Sequence, residues 1–187
     1  MRIFIAANPG EHFRYLLATQ LDAWRLQLGI SWSRPQTWHL TLDFLGEVPS
    51  AKLDALTAAL RAEAADFHPI AVQPQDLDAF PNLRRPRVLF LHMESGGALE
   101  KLATGIRHRV DEVLPDGEQD RKPFRAHLTI ARIKRPLPAS QLRLLPQIQF
   151  VPWETLTIDK IQLVKSELRP EGARHTDLAV FPLGSGR

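Results

Sequence analysis

Two short stretches of the chain carry the same pattern of reactive side chains, Trp38-His39-Leu40-Thr41-Leu42 and Ala126-His127-Leu128-Thr129-Ile130. In a β-strand side chains alternate, so His39 and Thr41 share one face, roughly 6.6 Å apart at Cα, while Leu40 and Leu42 share the other. His127 and Thr129 stand in the same relation to Leu128 and Ile130. Each strand would bury its aliphatic face and present an imidazole and a hydroxyl on the opposite one. Two such faces suit a displacement at the phosphorus of a phosphodiester. That reaction needs a base on the attacking oxygen and an acid on the departing oxygen, on opposite sides of the phosphorus. An imidazole with an ordinary pKa near 6.5 can hold or release a proton near neutrality and so fill either role. The hydroxyls of Thr41 and Thr129 can donate to the non-bridging oxygens and steady the charge that develops there. Because the histidines move the protons themselves, the pattern calls for no metal and no cofactor.

A single H-x-T strand is more often a structural feature. Two copies, with the polar residues on the face away from the leucines, are not explained by a shared core role. Of the seven histidines, His12, His68, His92 and His108 lack such a partner motif. His12 and His108 fall on helix faces and are expected to be solvated, and His92 ends a strand, where a structural role is expected. Cysteine is absent, which excludes disulfides, thiolate metal sites and thiol nucleophiles. No H-x-x-x-H or H-x-x-E-H spacing occurs, which ranks a histidine-ligated metallohydrolase low. The competing class is a binding module that holds nucleotides without turnover, but binding alone does not require two proton carriers.

Composition frames this chemistry without naming a partner. The 187 residues are enough for one full-sized domain or two tightly joined lobes, with roughly 70% of the unfolded chain's surface buried on folding. A net charge of +3 is too small to identify a nucleic-acid ligand. Arg84, Arg85 and Arg87 form a basic knot that is expected to be solvated. The N-terminal stretch Met1–Pro9 is too short and too soon broken to act as a signal peptide. No apolar run approaches the ~20 residues that span a bilayer. The expectation is a cytoplasmic monomer without a membrane role.

The elements that must position the two motifs follow from periodicity. Residues 2–7 read as a strand and 11–28 as a helix with Phe13, Leu17, Leu21 and Trp24 on one side. After a linker over 31–37, residues 38–45 read as a strand. Ser50 is a plausible N-cap for a helix carrying Leu53, Leu56 and Leu60. Short strands over 70–73 and 77–80 lead to a turn-rich stretch at 81–86. The second half repeats the plan: a strand over 87–93, a helix with Leu99, Leu102, Ile106 and Val110, a polar loop over 115–122 and a strand over 124–133. A short helix over 139–145 and strands over 155–165 and 178–183 complete the chain. The shared order of elements points to an internal duplication, with approximate halves 1–85 and 86–187 forming two lobes of a single domain, 1–187, about a pseudo-two-fold axis.

The segments His39-Leu40-Thr41-Leu42-Asp43-Phe44-Leu45-Gly46 and Pro123-Phe124-Arg125-Ala126-His127-Leu128-Thr129-Ile130-Ala131-Arg132 resemble the paired motifs of the two-histidine phosphoesterases. Within them the chain is most similar to the RNA 2′,3′-cyclic phosphodiesterase (2′-5′ RNA ligase) family. Supporting stretches are Arg2–Ala6, Pro86–Leu89 and Ser166–Gly172, so the similarity runs over essentially the whole chain. The resemblance implies an α+β fold, a duplicated β-α-β-α-β unit whose mostly antiparallel sheets face each other across a central cleft. It implies metal-independent hydrolysis of RNA 2′,3′-cyclic phosphate ends to 2′-phosphomonoesters, with 2′-5′ ligation as the reverse of the same chemistry. His39 would then be the proton donor to the departing 3′ oxygen and His127 the proton acceptor that activates water. Thr41 and Thr129 would bind the phosphate. Arg132 is a further phosphate ligand by the same analogy, although strict alternation puts it on the face opposite His127. Two positions depart from the family pattern: His175 stands where Tyr is common, and Ala126 where Pro is usual.

Overall fold

A computed structural model describes residues 1–115, 123–151, 153–170 and 172–184. Among these residues, strands alternate with helices. The first half supplies β1 (Arg2–Ala7), α1 (Glu11–Gln27), β2 (Ser31–Trp32), β3 (Leu40–Glu47), α2 (Leu53–Ala65) and β4 (Ile70–Phe80). The second supplies β5 (Val88–Glu94), α3 (Ala98–Val113), β6 (His127–Arg132), α4 (Ala139–Leu142), β7 (Leu156–Ile158), β8 (Lys160–Arg169) and β9 (Gly172–Pro182). The strands form one sheet in the order β7-β4-β5-β6-β3-β1-β8-β9, with β2 also paired to β6. Each of these pairings is antiparallel. The fold is α+β, as the resemblance implied.

The two sequence halves exchange strands, so each lobe draws on both. β1 and β3 of the first unit are completed by β8 and β9 of the second, while β5 and β6 of the second are completed by β4 of the first. The third strand of each unit thus pairs with the first strand of the other. α3 follows the same exchange: it packs against β3 and against α2, which itself lies on β8 and β9. α1 meets the segment leading into β7, where the Phe13 and Trp153 rings lie 5.2 Å apart and Gln20 Oε1 accepts from the Val151 amide. Neither lobe can bury its core without the other half of the chain.

The helices form where apolar spacing predicts them. Leu99, Leu102, Ile106 and Val110 of α3 are all fully buried, each worth ~1.5–3 kcal/mol of transfer free energy. α3 begins after Gly96 and Gly97, both at positive φ, with Ser95 Oγ accepting from the Leu99 amide at 3.0 Å. Arg109 of α3 reaches Glu63 of α2 at 3.1 Å.

Several boundaries differ from the periodicity reading. Ser50 is not the N-cap of α2: Ser50–Lys52 is a 3-10 turn ahead of the helix, and Lys52 stands at the cap position. The stretch read as linker contains β2, which pairs Ser31 with Arg132 and Trp32 with Ala131. β4 is one strand with an irregularity between Pro74 and Leu77. The apolar run over 155–165 divides at Asp159 into β7 and β8, and β9 begins at Gly172, well before the apolar residues that marked a last strand. Of the loop read over 115–122, residues 116–122 lie outside the described residues. No described helix is long and apolar enough to cross a membrane.

Candidate active site

The two H-x-T strands meet at the centre of the sheet. β3 and β6 pair antiparallel through Leu40 and Leu128, and both leucines are fully buried. One residue to either side, this register sets His39 across from Thr129 and Thr41 across from His127. All four are half-buried on the face away from the leucines. The pseudo-two-fold axis passes between Leu40 and Leu128, so each histidine faces the other motif's threonine.

Matching bulges shape the far end of both strands. On β3, Ala6 opposes Thr41 but Ile5 opposes Asp43, so Leu42 is the extra residue. On β6, Phe90 opposes Thr129 but Leu89 opposes Ala131, so Ile130 is the extra residue. Each bulge turns two successive side chains inward and returns the next to the cleft. Arg132 therefore stands opposite Val88, on the same face as His127, which corrects the expectation from strict alternation. Phe44 is its counterpart on β3, opposite Phe4. Asp43 is carried inward, where it is 3% exposed and 3.4 Å from Arg107 of α3. Burial raises its pKa, and Arg107 pulls the other way.

Both imidazoles are oriented in the same way. Nδ1 of His39 lies 2.7 Å from the Thr37 carbonyl, and Nδ1 of His127 lies 2.7 Å from the Arg125 carbonyl. A carbonyl only accepts, so Nδ1 carries the proton and donates, leaving Nε2 as the atom that gains or loses a proton. Aromatic rings hold each imidazole in place. Phe4 lies 4.8 Å from His39, and Phe80 and Phe90 lie 5.2 and 5.3 Å from His127. His175 adds a third ring to the first cluster, 5.2 Å from His39 and 5.0 Å from Phe4. Arg14 of α1 grips the Trp38 carbonyl at 2.7 Å, just ahead of His39.

Burial sets the charge state. It pushes the His39 pKa down to about 4, against the Thr37 hydrogen bond, with His175, Arg14 and His127 adding to the depression. His127 is lowered too, chiefly by burial, with Arg132 and His92 acting in the same direction and the Arg125 carbonyl opposing. His175 is lowered by burial and supported by Asp177. The cleft's own groups thus favour neutral rings, and an anion between them would favour the charged forms.

The remaining residues divide among core, surface and cleft. Trp38 is a core residue, 1% exposed. His108 is exposed and lies 3.6 Å from Glu112. His92 lies within β5 directly opposite His127, so it belongs to the cleft rather than to the core. Among the described residues no group of three or more His, Asp or Glu side chains converges to hold a metal ion. Sequence reasoning missed Arg14, Gln162 and Asp177. The H-x-D alternation of His175-Thr176-Asp177 repeats the H-x-T logic and was the available signal.

RNA 2′,3′-cyclic phosphodiesterase of Archaeoglobus fulgidus is 31% identical over 183 residues, 97% of this chain and 99% of the relative. The enzyme of that name from Thermus thermophilus is 35% identical over 189 residues, 98% and 90% of the respective chains. The crystal structure of TT0787 from Thermus thermophilus superposes with a TM-score of 0.82 at 32% identity, covering 99% of this chain and 100% of that one. The family profile matches residues 14–170, and the chain belongs to the 2′-5′ RNA ligase superfamily.

Proposed function

We propose that the protein is an RNA 2′,3′-cyclic phosphodiesterase that opens the terminal cyclic phosphate to a 2′-phosphomonoester. The observation that carries this reading is the facing pair of imidazoles, each with Nδ1 tied to a carbonyl and Nε2 free for proton transfer. Water attacks phosphorus as His127 Nε2 takes its proton. The bond from phosphorus to the 3′ oxygen breaks, and His39 delivers a proton to that oxygen. The ring opens without releasing a fragment, because the 3′ oxygen stays on the ribose. Thr41 and Thr129 donate to the non-bridging oxygens, and Arg132 offers a cation on the same face. Because burial keeps His39 neutral, its proton is taken up with the anionic substrate. The histidines move both protons, so the activity is expected to persist in EDTA. With an RNA 5′-hydroxyl attacking phosphorus in place of water, the same bond to the 3′ oxygen would break and the ends would be joined through a 2′-5′ linkage.

The relatives named for this activity match nearly the full chain, which supports the substrate class. The reading further has the protein acting as a monomer in the cytoplasm on RNA or oligonucleotide ends. His39→Ala and His127→Ala test it: each should lose roughly 10²–10⁴-fold in rate on a nucleoside 2′,3′-cyclic phosphate with the fold intact by circular dichroism. Near-full activity in either variant would sink the mechanism. Tight nucleotide binding without turnover by the unsubstituted protein would favour the binding-module alternative.

A further inference from the structure

The concave face beside His39 continues into a pocket of about 330 Å³, at the small end of the ~300–1,000 Å³ of ligand pockets. His39 lines one edge of it, and the proton transfers leave the rest of its wall unused. Its walls are polar in a particular order. Gln162 of β8, 9% exposed, donates from Nε2 to Asp177 Oδ2 of β9 at 2.7 Å. That bond fixes the amide, so Gln162 presents Oε1, and Asp177 keeps Oδ1, as two acceptors on neighbouring strands. The opposite character comes from Arg14 of α1, which spends Nη2 on the Trp38 carbonyl and keeps a buried Nε without a partner among the described residues. His175 and Phe4 supply ring surface between these groups.

We propose that this pocket receives the terminal nucleobase and selects guanine, with Asp177 and Gln162 accepting from its N1–H and 2-amino group and Arg14 donating to O6. The placement rests on the proton-donor role given to His39 above: the departing 3′ oxygen belongs to the nucleoside, so the nucleoside lies on the His39 side and water on the His127 side. The identity follows from the edges of the bases. Guanine alone presents two adjacent N–H donors beside a carbonyl acceptor. Adenine and cytosine offer one amino group beside a ring-nitrogen acceptor, and uracil one N–H between two carbonyls. Each of these leaves an acceptor of the Asp177–Gln162 pair unmatched, and an unmatched group in a partly buried site is penalised.

Hydrolysis of the four nucleoside 2′,3′-cyclic monophosphates tests this assignment. The expected result is a guanosine preference of roughly 10–100-fold in kcat/KM over the other three, the discrimination that one bidentate base contact carries. In Asp177→Asn the guanosine-to-adenosine ratio should collapse to within about threefold. Equal rates on all four substrates, or a guanosine preference that survives Asp177→Asn, would overturn the proposal. If no substrate turns over, the hydrolytic reading fails on its own, and calorimetric affinities for the four nucleoside 2′-monophosphates decide the pocket by the same comparison. Guanosine-first binding lost in Asp177→Asn upholds it, and equal affinities overturn it.

Discussion

The depressed histidine pKa values make the pH dependence of the free enzyme a sharp test. With a pKa of about 4, His39 is an imidazolium in roughly one molecule in a thousand at pH 7. Transfer requires one ring charged and its partner neutral. His127 also titrates below the ordinary histidine value, so above both values the competent population falls about tenfold for each pH unit. A cyclic phosphodiester keeps a single negative charge through this range and adds no titration of its own. The expectation is therefore a kcat/KM that peaks below pH 6.5 and falls about tenfold per unit between pH 7 and 8.5. Bound substrate places an anion between the rings and favours their charged forms, so the optimum in kcat lies at higher pH than that in kcat/KM. Initial rates on guanosine 2′,3′-cyclic monophosphate across pH 4.5–9 measure both. The same burial means that the unfolded chain takes up more protons as pH falls below the ordinary histidine value, so the fold loses stability there. Each assay point therefore carries a circular dichroism control. A flat kcat/KM from pH 6.5 to 8, or a maximum at pH 7 or above, would refute the claim that burial leaves both rings neutral in the empty site.

Three further outcomes follow from particular contacts. Thr41→Val and Thr129→Val keep the side-chain shape but remove the hydroxyl, and each should cost roughly 10²-fold in kcat with little change in melting temperature. Arg132→Ala removes a cation that lowers the His127 pKa. The His127 titration followed by NMR should therefore move to higher pH, and KM should rise as the phosphate loses a positive neighbour. Gly184 donates to the Ala64 carbonyl at 3.0 Å and packs so closely on the end of α2 that a Cβ there would strike the Ala65 carbonyl. Gly184→Ala should cost about 1–3 kcal/mol in denaturant unfolding while leaving kcat unchanged where the protein is folded.

The shared face of the two H-x-T motifs was legible in the sequence because period-two alternation is a local rule. Leu40 and Leu42 define the buried face, and His39 and Thr41 necessarily take the other. Arg132 shows where the rule stops. One extra residue at Ile130 reverses the alternation, and nothing in Thr129-Ile130-Ala131-Arg132 announces a bulge. The same device turns Asp43 inward to Arg107, although alternation from His39 would place it in the cleft. The exchange of β4 and β8 between units was hidden for another reason. Pairing partners are set by the topology of the assembled sheet, and the hydrophobic pattern of a strand is the same whichever neighbour it takes. β9 was found late in its length because most of its side chains are exposed, leaving little apolar contrast to mark it. With its first half went the cleft residue Asp177, while His175 was marked only as a departure from the family pattern.

The most direct test of the two-histidine reading is analysis of the product end. An oligoribonucleotide bearing a terminal 2′,3′-cyclic phosphate is incubated with the protein in EDTA, and the product is resolved against authentic 2′- and 3′-phosphate standards. Protonation of the departing 3′ oxygen predicts a 2′-phosphate alone, formed at an undiminished rate in the chelator and lost in both His39→Ala and His127→Ala. A 3′-phosphate, a requirement for divalent metal, or full turnover by either variant would contradict the account.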